Sequence, residues 1–349
     1  MKHTITIGMD LGDRSHLVVV QDDAGNELDM SKVINTRKAI EHYFRDYPGA
    51  TVALEAGTHS PWISRMLTEL GCTVYVGNPR KLRMIWDSKD KTDERDARML
   101  AMVCRVEPKL LSPIRHRGRQ AQVDLSLIRS REVLVRSRTS LINHARGLVK
   151  GIGERLPKCS AASFAKRCEP EAPSSLQPAL SPVFSIISAL SEQIRALDKQ
   201  IQVLSRERYP EAQLLQTVPG VGPITSLAFV LTIDDASRFD KSRQVGPYLG
   251  LTPRKDQSGT SDKQLPITKA GDGYLRQLLV SCAQYILGPF GPDTHLRRHG
   301  QQLTMRGGKN AKKRAAVAVA RKLSVLLHRM LVTGEAYDPF YQQKMRKTS

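Results

Sequence analysis

The chain has 349 residues, 40% of them hydrophobic and 25% charged, which gives room for two or three domains with separate cores in an ordinary globular protein. Against 34 acidic residues stand 54 lysines and arginines, a formal net charge of +20 with a pI near 10.0; such an excess favours a polyanion as partner and suits a small-molecule kinase poorly. The five cysteines form no Cys-x-x-Cys pair, which argues against a zinc site or a disulfide framework and for a reducing, cytoplasmic setting, and no apolar run approaches the roughly 20 residues of a membrane span.

Residues 4–10 (Thr-Ile-Thr-Ile-Gly-Met-Asp) alternate, 16–21 are a β-branched run, and Leu-Gly-Asp-Arg-Ser between them is a turn signal, so a hairpin is predicted. A helix at 38–47, a strand at 51–55, a helix at 61–70, a strand at 72–77 and a helix at 91–104 follow. This alternation implies an α/β layer with parallel pairing after the hairpin. From 123 to about 150 the apolar pairs Leu127/Ile128, Leu134/Val135, Leu141/Ile142 and Leu148/Val149 recur every seven residues among arginines, the pattern of a long basic helix with an apolar seam. Residues 156–182, rich in Ser, Pro and Ala, read as an exposed connection. A second seam, Val183, Ile187, Leu190, Ile194, Leu197, Ile201 and Leu204, has coiled-coil spacing and is expected to pair within the chain or between protomers. Thr-Val-Pro-Gly-Val-Gly-Pro-Ile-Thr-Ser at 217–226 matches the way helix-hairpin-helix elements present backbone N–H groups to phosphate. Helices at 224–232, 275–288 and 311–332 make the C-terminal part mostly helical, and the glycine-rich basic stretch from Tyr248 to Ser261 reads as a loop. The expected division is 1–122, 123–210 and 211–349.

Four acids stand out: Asp10 in Ile-Gly-Met-Asp-Leu-Gly, Glu55 in Val-Ala-Leu-Glu-Ala-Gly, and Asp93 and Asp96 in Lys-Thr-Asp-Glu-Arg-Asp-Ala-Arg. Three of them close or open apolar runs, where an unpaired charge is expensive. Two sit at strand positions and two on one helix face, the layout of a ribonuclease-H-like site for two divalent cations that serve phosphodiester chemistry. Bound cations would relieve the repulsion among clustered carboxylates. Surface pairing with Arg95 or Arg98 is the bland alternative for Asp96, and a phosphate-binding hairpin of the actin-like ATPases is the alternative for Asp10. The latter also needs a glycine-rich second phosphate loop, which the sequence lacks.

In the second half Ser258, before Gly259, is the candidate nucleophile, with Arg254, Lys255 and Lys269 as a positive field. From residue types alone a turn serine is the more ordinary reading. The basic residues Arg129, Arg136, Arg138 and Arg146, and the run holding Arg306, Lys309, Lys312, Lys313 and Arg314, are candidate contacts for nucleic-acid backbone.

The ordered set Ile-Gly-Met-Asp-Leu-Gly, Leu-Glu-Ala-Gly, Lys-Thr-Asp-x-x-Asp-Ala, Val-Pro-Gly-Val-Gly-Pro, Leu-Gly-Leu-Thr-Pro-Arg and Ser-Gly resembles the DEDD-type insertion-sequence recombinases (insertion-sequence family one-ten) over nearly the whole chain, most weakly at 156–182. The resemblance implies a RuvC-like N-terminal domain, a coiled-coil middle and a C-terminal transposase domain with a serine nucleophile. It implies metal-binding acids (Mg²⁺ or Mn²⁺) at Asp10, Glu55, Asp93 and Asp96 and the nucleophile at Ser258. It also implies a bridge-type guide RNA, donor and target DNA as partners, and a homo-oligomer, dimer to tetramer, in which one protomer's acids meet another's serine. Where family members often carry Ser-Ser-Gly-Gly-Lys, this chain has Gln257-Ser258-Gly259-Thr260-Ser261, which makes Ser261 the second candidate, and Glu-Ala-Gly-Thr-His after Glu55 places His59 nearby. The expected function is an RNA-guided site-specific DNA recombinase with a covalent phosphoserine intermediate. The alternatives are a metal-dependent nuclease or junction resolvase using water, and a non-catalytic basic scaffold.

Overall fold

The computed structural model describes residues 5–82, 92–258 and 261–339, with the side chains of 255–258 and 261–264 left aside. It divides into two compact units, Met1–His116 and Arg117–Ser349.

In the first unit β1 (Thr6–Asp10), β2 (Ser15–Gln21), β3 (Glu27–Ile34), β4 (Thr51–Glu55) and β5 (Thr73–Gly77) form a mixed sheet in the order β3-β2-β1-β4-β5. The first three strands are antiparallel, whereas β1–β4 and β4–β5 are parallel. Helices α1 (Arg37–Phe44) and α2 (Ser60–Glu69) cover one face and share a core with Ile7, Met9, Val52 and Leu54. After the short α3 (Pro79–Leu82), α4 (Asp93–Val106) covers the other face, where Leu100, Val103 and Cys104 pack on Ala53. This mixed α/β layer is consistent with a ribonuclease-H-like domain. Hydropathy does not reveal β3, an edge strand in which only Val33 is buried, so pairing with β2 rather than burial defines it.

Helix α4 lies directly on β1 because Gly8 has no side chain: a Cβ there would overlap the carbonyl oxygen of Ala97 and approach the Ala101 nitrogen to 2.5 Å. Both obstacles are backbone and cannot swing aside. Gly8→Ala is therefore expected to destabilise the unit by about 3 kcal/mol. A chemical denaturation midpoint matching the parent's would contradict that packing.

The second unit takes in both 123–210 and 211–349. Helices α5 (Arg119–Gly151) and α7 (Gln177–Arg208) form an antiparallel pair. Asp124 near the start of α5 accepts from Arg208 at the end of α7 (2.9 Å) and from Tyr209 (2.6 Å), Arg131 pairs with Asp198, and Arg138 reaches Ser191 Oγ at 3.2 Å. The buried stripe of α7 includes Leu180, Phe184, Ile187, Ser191, Ile194, Ile201 and Ser205. The predicted seam shares Ile187, Ile194 and Ile201 with it, but Val183, Leu190, Leu197 and Leu204 are only half-buried. The rotation arises because polar layers with satisfied partners occupy positions that hydropathy assigns to solvent.

The segment expected to be an exposed connection is instead a packed tip. Leu156, Phe164 and Cys168, the last two on α6 (Phe164–Cys168), join Ile142, Val149, Leu180 and Phe184 in one core. At the other end the pair merges with the C-terminal helices: Ile128 and Ile201 share a core with α8 (Pro210–Leu215), α9 (Pro223–Ile233), α11 (Gly273–Leu287), α12 (His295–Met305) and α13 (Ala311–Thr333). Residues Thr225–Ile233 of α9 are all buried, as befits a central helix apolar on every side.

The stretch read as a loop is a β-hairpin, β6 (Pro253–Ser258) with β7 (Ser261–Ile267), following α10 (Val245–Tyr248). Its polar sequence carries no alternation that would reveal it.

Four histidines have their pKa lowered from 6.5, first of all by burial: His16, His295, His299 and His328. His328 is fixed between Ser242 Oγ and the Ala236 carbonyl oxygen, each at 3.0 Å. The carbonyl can only accept, so Nε2 carries the proton and Nδ1 accepts from the serine. With folded values below the unfolded one, the unfolded chain binds more protons on acidification, so stability present above about pH 6.5 is lost below it. The thermal midpoint is expected to fall steadily from neutral pH into mild acid. A midpoint unchanged by that acidification would contradict it.

Candidate active site

The alternation of β1 and β4 decides which acids meet. Ile7 and Met9 enter the core under α1 and α2, so Gly8 and Asp10 face α4. Likewise Val52 and Leu54 enter that core while Ala53 packs under α4, which sends Glu55 to the α4 face as well. The parallel register pairs Met9 with Leu54, so Asp10 and Glu55 close neighbouring strands at one sheet edge. Both are half-buried.

Helix α4 runs against β1. Its last turn reaches the β2–β3 connection, where Arg105 donates to the Asp23 carbonyl oxygen at 3.4 Å, at the end of the sheet where β1 starts. Its first turn therefore lies toward the edge holding Asp10 and Glu55. Thr92 caps that turn by accepting from the Arg95 amide at 3.3 Å. Asp93 precedes Ala97 by four residues, and Asp96 precedes Leu100 by four, so both extend the face of α4 that lies on the sheet. Asp96 is half-buried and Asp93 exposed. Carboxylates in a first helical turn also favour the helix dipole. Among the described residues no three His, Cys, Asp or Glu side chains converge into a closed ligand set. Lys91 and the rest of 83–91, leading into α4, lie outside the described residues.

Next to this edge the loops after β1 and β4 are tied by His59, whose Nε2 meets Asp13 Oδ1 at 3.0 Å. Trp62 Nε1 donates to His59 Nδ1 at 3.3 Å, which leaves the ring proton on Nε2 for the carboxylate. His59 is thus a partnered turn residue. Ser60 and His116 form a pair absent from the sequence reading, at 2.9 Å. The buried Ser60 hydroxyl donates its single proton to the Gly57 carbonyl oxygen at 2.8 Å, so His116 donates to it and the pair is a turn brace rather than an activated nucleophile.

In the second unit the backbones of Ser258 and Ser261 are cross-strand partners in the β6–β7 hairpin. The foot of this hairpin is clamped. Gly250 and Gly271 adopt φ of +67° and +66°, and a Cβ on either would overlap the Ala270 or the Tyr248 backbone. Arg276 donates to the carbonyl oxygens of Leu249 (2.9 Å) and Ala270 (2.8 Å), fastening both sides of the foot. Asp272 caps α11 at the Leu275 amide (2.8 Å) and pairs with Arg129. Gly250 of Leu-Gly-Leu-Thr-Pro-Arg and Gly271 of Lys-Ala-Gly-Asp-Gly-Tyr thus serve a rigid base for the strand that ends at Ser258, and Arg276 is a supporting residue that sequence alone does not single out.

The basic candidates divide. Arg129 is committed to Asp272 and Glu132, Arg138 to Ser191, and Arg146 to the carbonyl oxygens of Leu156 (3.3 Å) and Pro157 (3.0 Å) beneath the Phe164 ring. These three work inside the fold, on different sides of α5, because each is held by a partner from another segment of the second unit. Arg136, Arg254, Lys269, Arg306, Lys309, Lys312, Lys313 and Arg314 are exposed, and Arg136 lies 3.9 Å from Glu132.

Residues 7–154 match a DEDD-type IS110 family described as "Transposase", and residues 212–296 match "Transposase IS116/IS110/IS902 family". A probable family 20 transposase of Pseudomonas aeruginosa is 30% identical over 87% of this chain and 90% of its own length. The chain belongs to the IS110-type DEDD transposases. The transposase of insertion sequence element IS1111A of Coxiella burnetii is 27% identical over 83% of this chain and 79% of its own, and a pilin gene-inverting protein of Moraxella bovis is 31% identical over 42% and 46%. The first match takes in the sheet edge with all four acids and the second takes in the β6–β7 hairpin, so this transposase, a DNA-recombining enzyme, carries both candidate groups inside its family regions. A DEDD-type domain implies divalent-metal chemistry in general. The oxygen-only donors at the sheet edge fit a hard cation. No helix among the described residues is long and apolar enough to cross a membrane.

Proposed function

We propose that this transposase is an RNA-guided, site-specific recombinase that cuts and rejoins DNA through a phosphoserine bond at Ser258. The observation that carries this reading is the arrival of Asp10 and Glu55 on adjacent parallel strand ends, at the edge toward which α4 directs Asp93 and Asp96, in a chain of charge +20. A divalent cation, Mg²⁺ or Mn²⁺, held by these four would supply charge neutralisation at the phosphate and lower its barrier to attack. Ser258 Oγ forms a bond to phosphorus and gives up its proton, while one phosphoester bond to a sugar oxygen breaks and that oxygen takes up a proton. Attack by another strand's sugar hydroxyl reverses these exchanges and restores a phosphodiester, so no external energy source is needed. The clamped hairpin foot supports the reading because a nucleophile must be held within a fraction of an ångström for in-line attack. The RuvC-like character of the first unit, the α8–α9 turn as a phosphate-facing hairpin and the α5–α7 pair as a coiled coil belong to the same reading. So do a tetramer that sets the acids of one protomer beside the serine of another and backbone contacts from Arg136, Arg254, Lys255, Lys269, Arg306, Lys309, Lys312, Lys313 and Arg314. Base pairing of the guide with donor and target supplies sequence choice, and the protein supplies backbone recognition.

The test is to incubate the protein with labelled DNA of its own element, divalent cation and the element's noncoding RNA, and then to follow label on denatured protein. Label retained only with cation and RNA present is the expected result. Free cut ends without retained label would instead indicate a nuclease that uses water.

A further inference from the structure

In the second unit a groove of about 890 Å³ opens between α13 and the segment that follows it. None of the cations on its wall is among the nucleic-acid contacts considered above: Arg321, Lys322 and Arg329 from α13, and Arg243 from the turn before α10. Resting on the function proposed above, we propose that this groove is a second nucleic-acid site that seats the phosphodiester backbone of one strand.

Three observations carry it. The charge is concentrated and poorly compensated. Lys322 is half-buried, and among the described residues no carboxylate pairs with it or with Arg321. The carboxylates on the wall are Glu335, which stands 3.8 Å from Arg329, and Asp338, so cations outnumber them. Burial, and then Arg321, lower the Lys322 pKa, and Lys322 in turn depresses His295 and His299 after burial. A folded protein that holds such repulsion in a concavity gains by admitting an anion.

The groove is also built rather than incidental. The Arg321 stem lies against Gly246, where a Cβ would come within 3.1 Å of its Cγ, so the guanidinium is directed along the wall by a position without a side chain. Finally, Pro247, Val325, Leu326 and Met330 give the groove an apolar component. A free inorganic anion needs no apolar wall, whereas the sugar and base faces of a strand do.

The test measures binding by the full-length protein of short fluorescein-labelled RNA and DNA single strands of one sequence, and of a DNA duplex, as salt is varied. Each lost phosphate contact on a single strand lowers the slope of log K against log salt by about 0.7. Arg321→Gln with Lys322→Gln should therefore lower it by about 1.4 and weaken low-salt binding about tenfold. Arg243→Gln, on a separate element, should lower it by about 0.7 and keeps the test open if the double variant does not fold. An effect on RNA alone assigns the groove to the guide, an effect on DNA alone to the substrate, and an effect on both to backbone shared by the two. Affinity and slope equal to the parent's for every probe, in either folded variant, would overturn the groove. Loss of binding in these variants while the parent makes no covalent adduct would keep the groove and remove the serine mechanism.

Discussion

Asp10→Asn should abolish strand transfer while leaving the protein folded. Asp10 ends the central strand β1, half-buried beside Glu55 and facing α4. The isosteric amide keeps the packing around Gly8 and Met9 but removes a full negative charge from the donor set. Charge stabilisation of several kcal/mol at a transferring phosphate corresponds to about a thousandfold in rate, since each 1.36 kcal/mol is tenfold. Glu55→Gln should match Asp10→Asn, because the two close adjacent strands whose spacing the sheet fixes. Asp96→Asn should follow, and Asp93→Asn should be mildest, since Asp93 is the exposed first residue of α4 and its carboxylate has the most freedom to be replaced by water. A readout independent of activity accompanies the series. The amide keeps the size of the side chain, so Asp10→Asn should melt close to the parent temperature in chelator. Adding Mg²⁺ should raise the parent's midpoint and not the variant's, because a ligand stabilises only the state it binds. Strand transfer by Asp10→Asn within tenfold of the parent, or an equal Mg²⁺ shift in both proteins, would contradict the assignment.

The acid edge was legible because it coincides with strong local signals. Ile-Gly-Met-Asp and Val-Ala-Leu-Glu are buried strand runs, and a charge at the end of each stands out against the apolar residues before it. The period-two rule then places both acids on one face before any contact is known. The serine's setting was illegible for the opposite reason. Pro-Arg-Lys-Asp-Gln-Ser carries no alternation, and its strand character comes from pairing with 261–267 and from the Gly250–Gly271 clamp, in which residues about twenty apart make close backbone contact. The packed tip escapes composition because Ser, Pro and Ala dominate it, yet the few large side chains, Leu156 and Phe164, are the ones that decide burial. The arginines of α5 show a third limit: periodicity marks a basic helix but not whether a partner helix covers its charges, and Asp198, Ser191 and the Leu156 carbonyl oxygen answer that only in three dimensions.

Ser258→Ala should remove the covalent protein–DNA species altogether, with a loss on the order of 10⁴-fold or more in strand transfer, as expected when a nucleophile rather than a supporting group is deleted. Ser261 should not take over. The two residues are backbone partners across the hairpin, so their Cα atoms stand roughly 5 Å apart. A misplacement of about an ångström already costs an in-line displacement about a hundredfold in rate, so a phosphate aligned for one hydroxyl is misplaced for the other. Ser261→Ala should thus retain the adduct, and the double variant should match Ser258→Ala. Folding is not the confounding factor, because the hairpin foot is held by Arg276, Gly250 and Gly271 rather than by either serine. Mass spectrometry of the trapped adduct after proteolysis locates the modified residue directly. A phosphorylated Ser261 with Ser258 unmodified would reverse the assignment within the same hairpin. Full strand transfer by the double alanine variant would end the serine mechanism and leave water activated at the acid edge as the nucleophile.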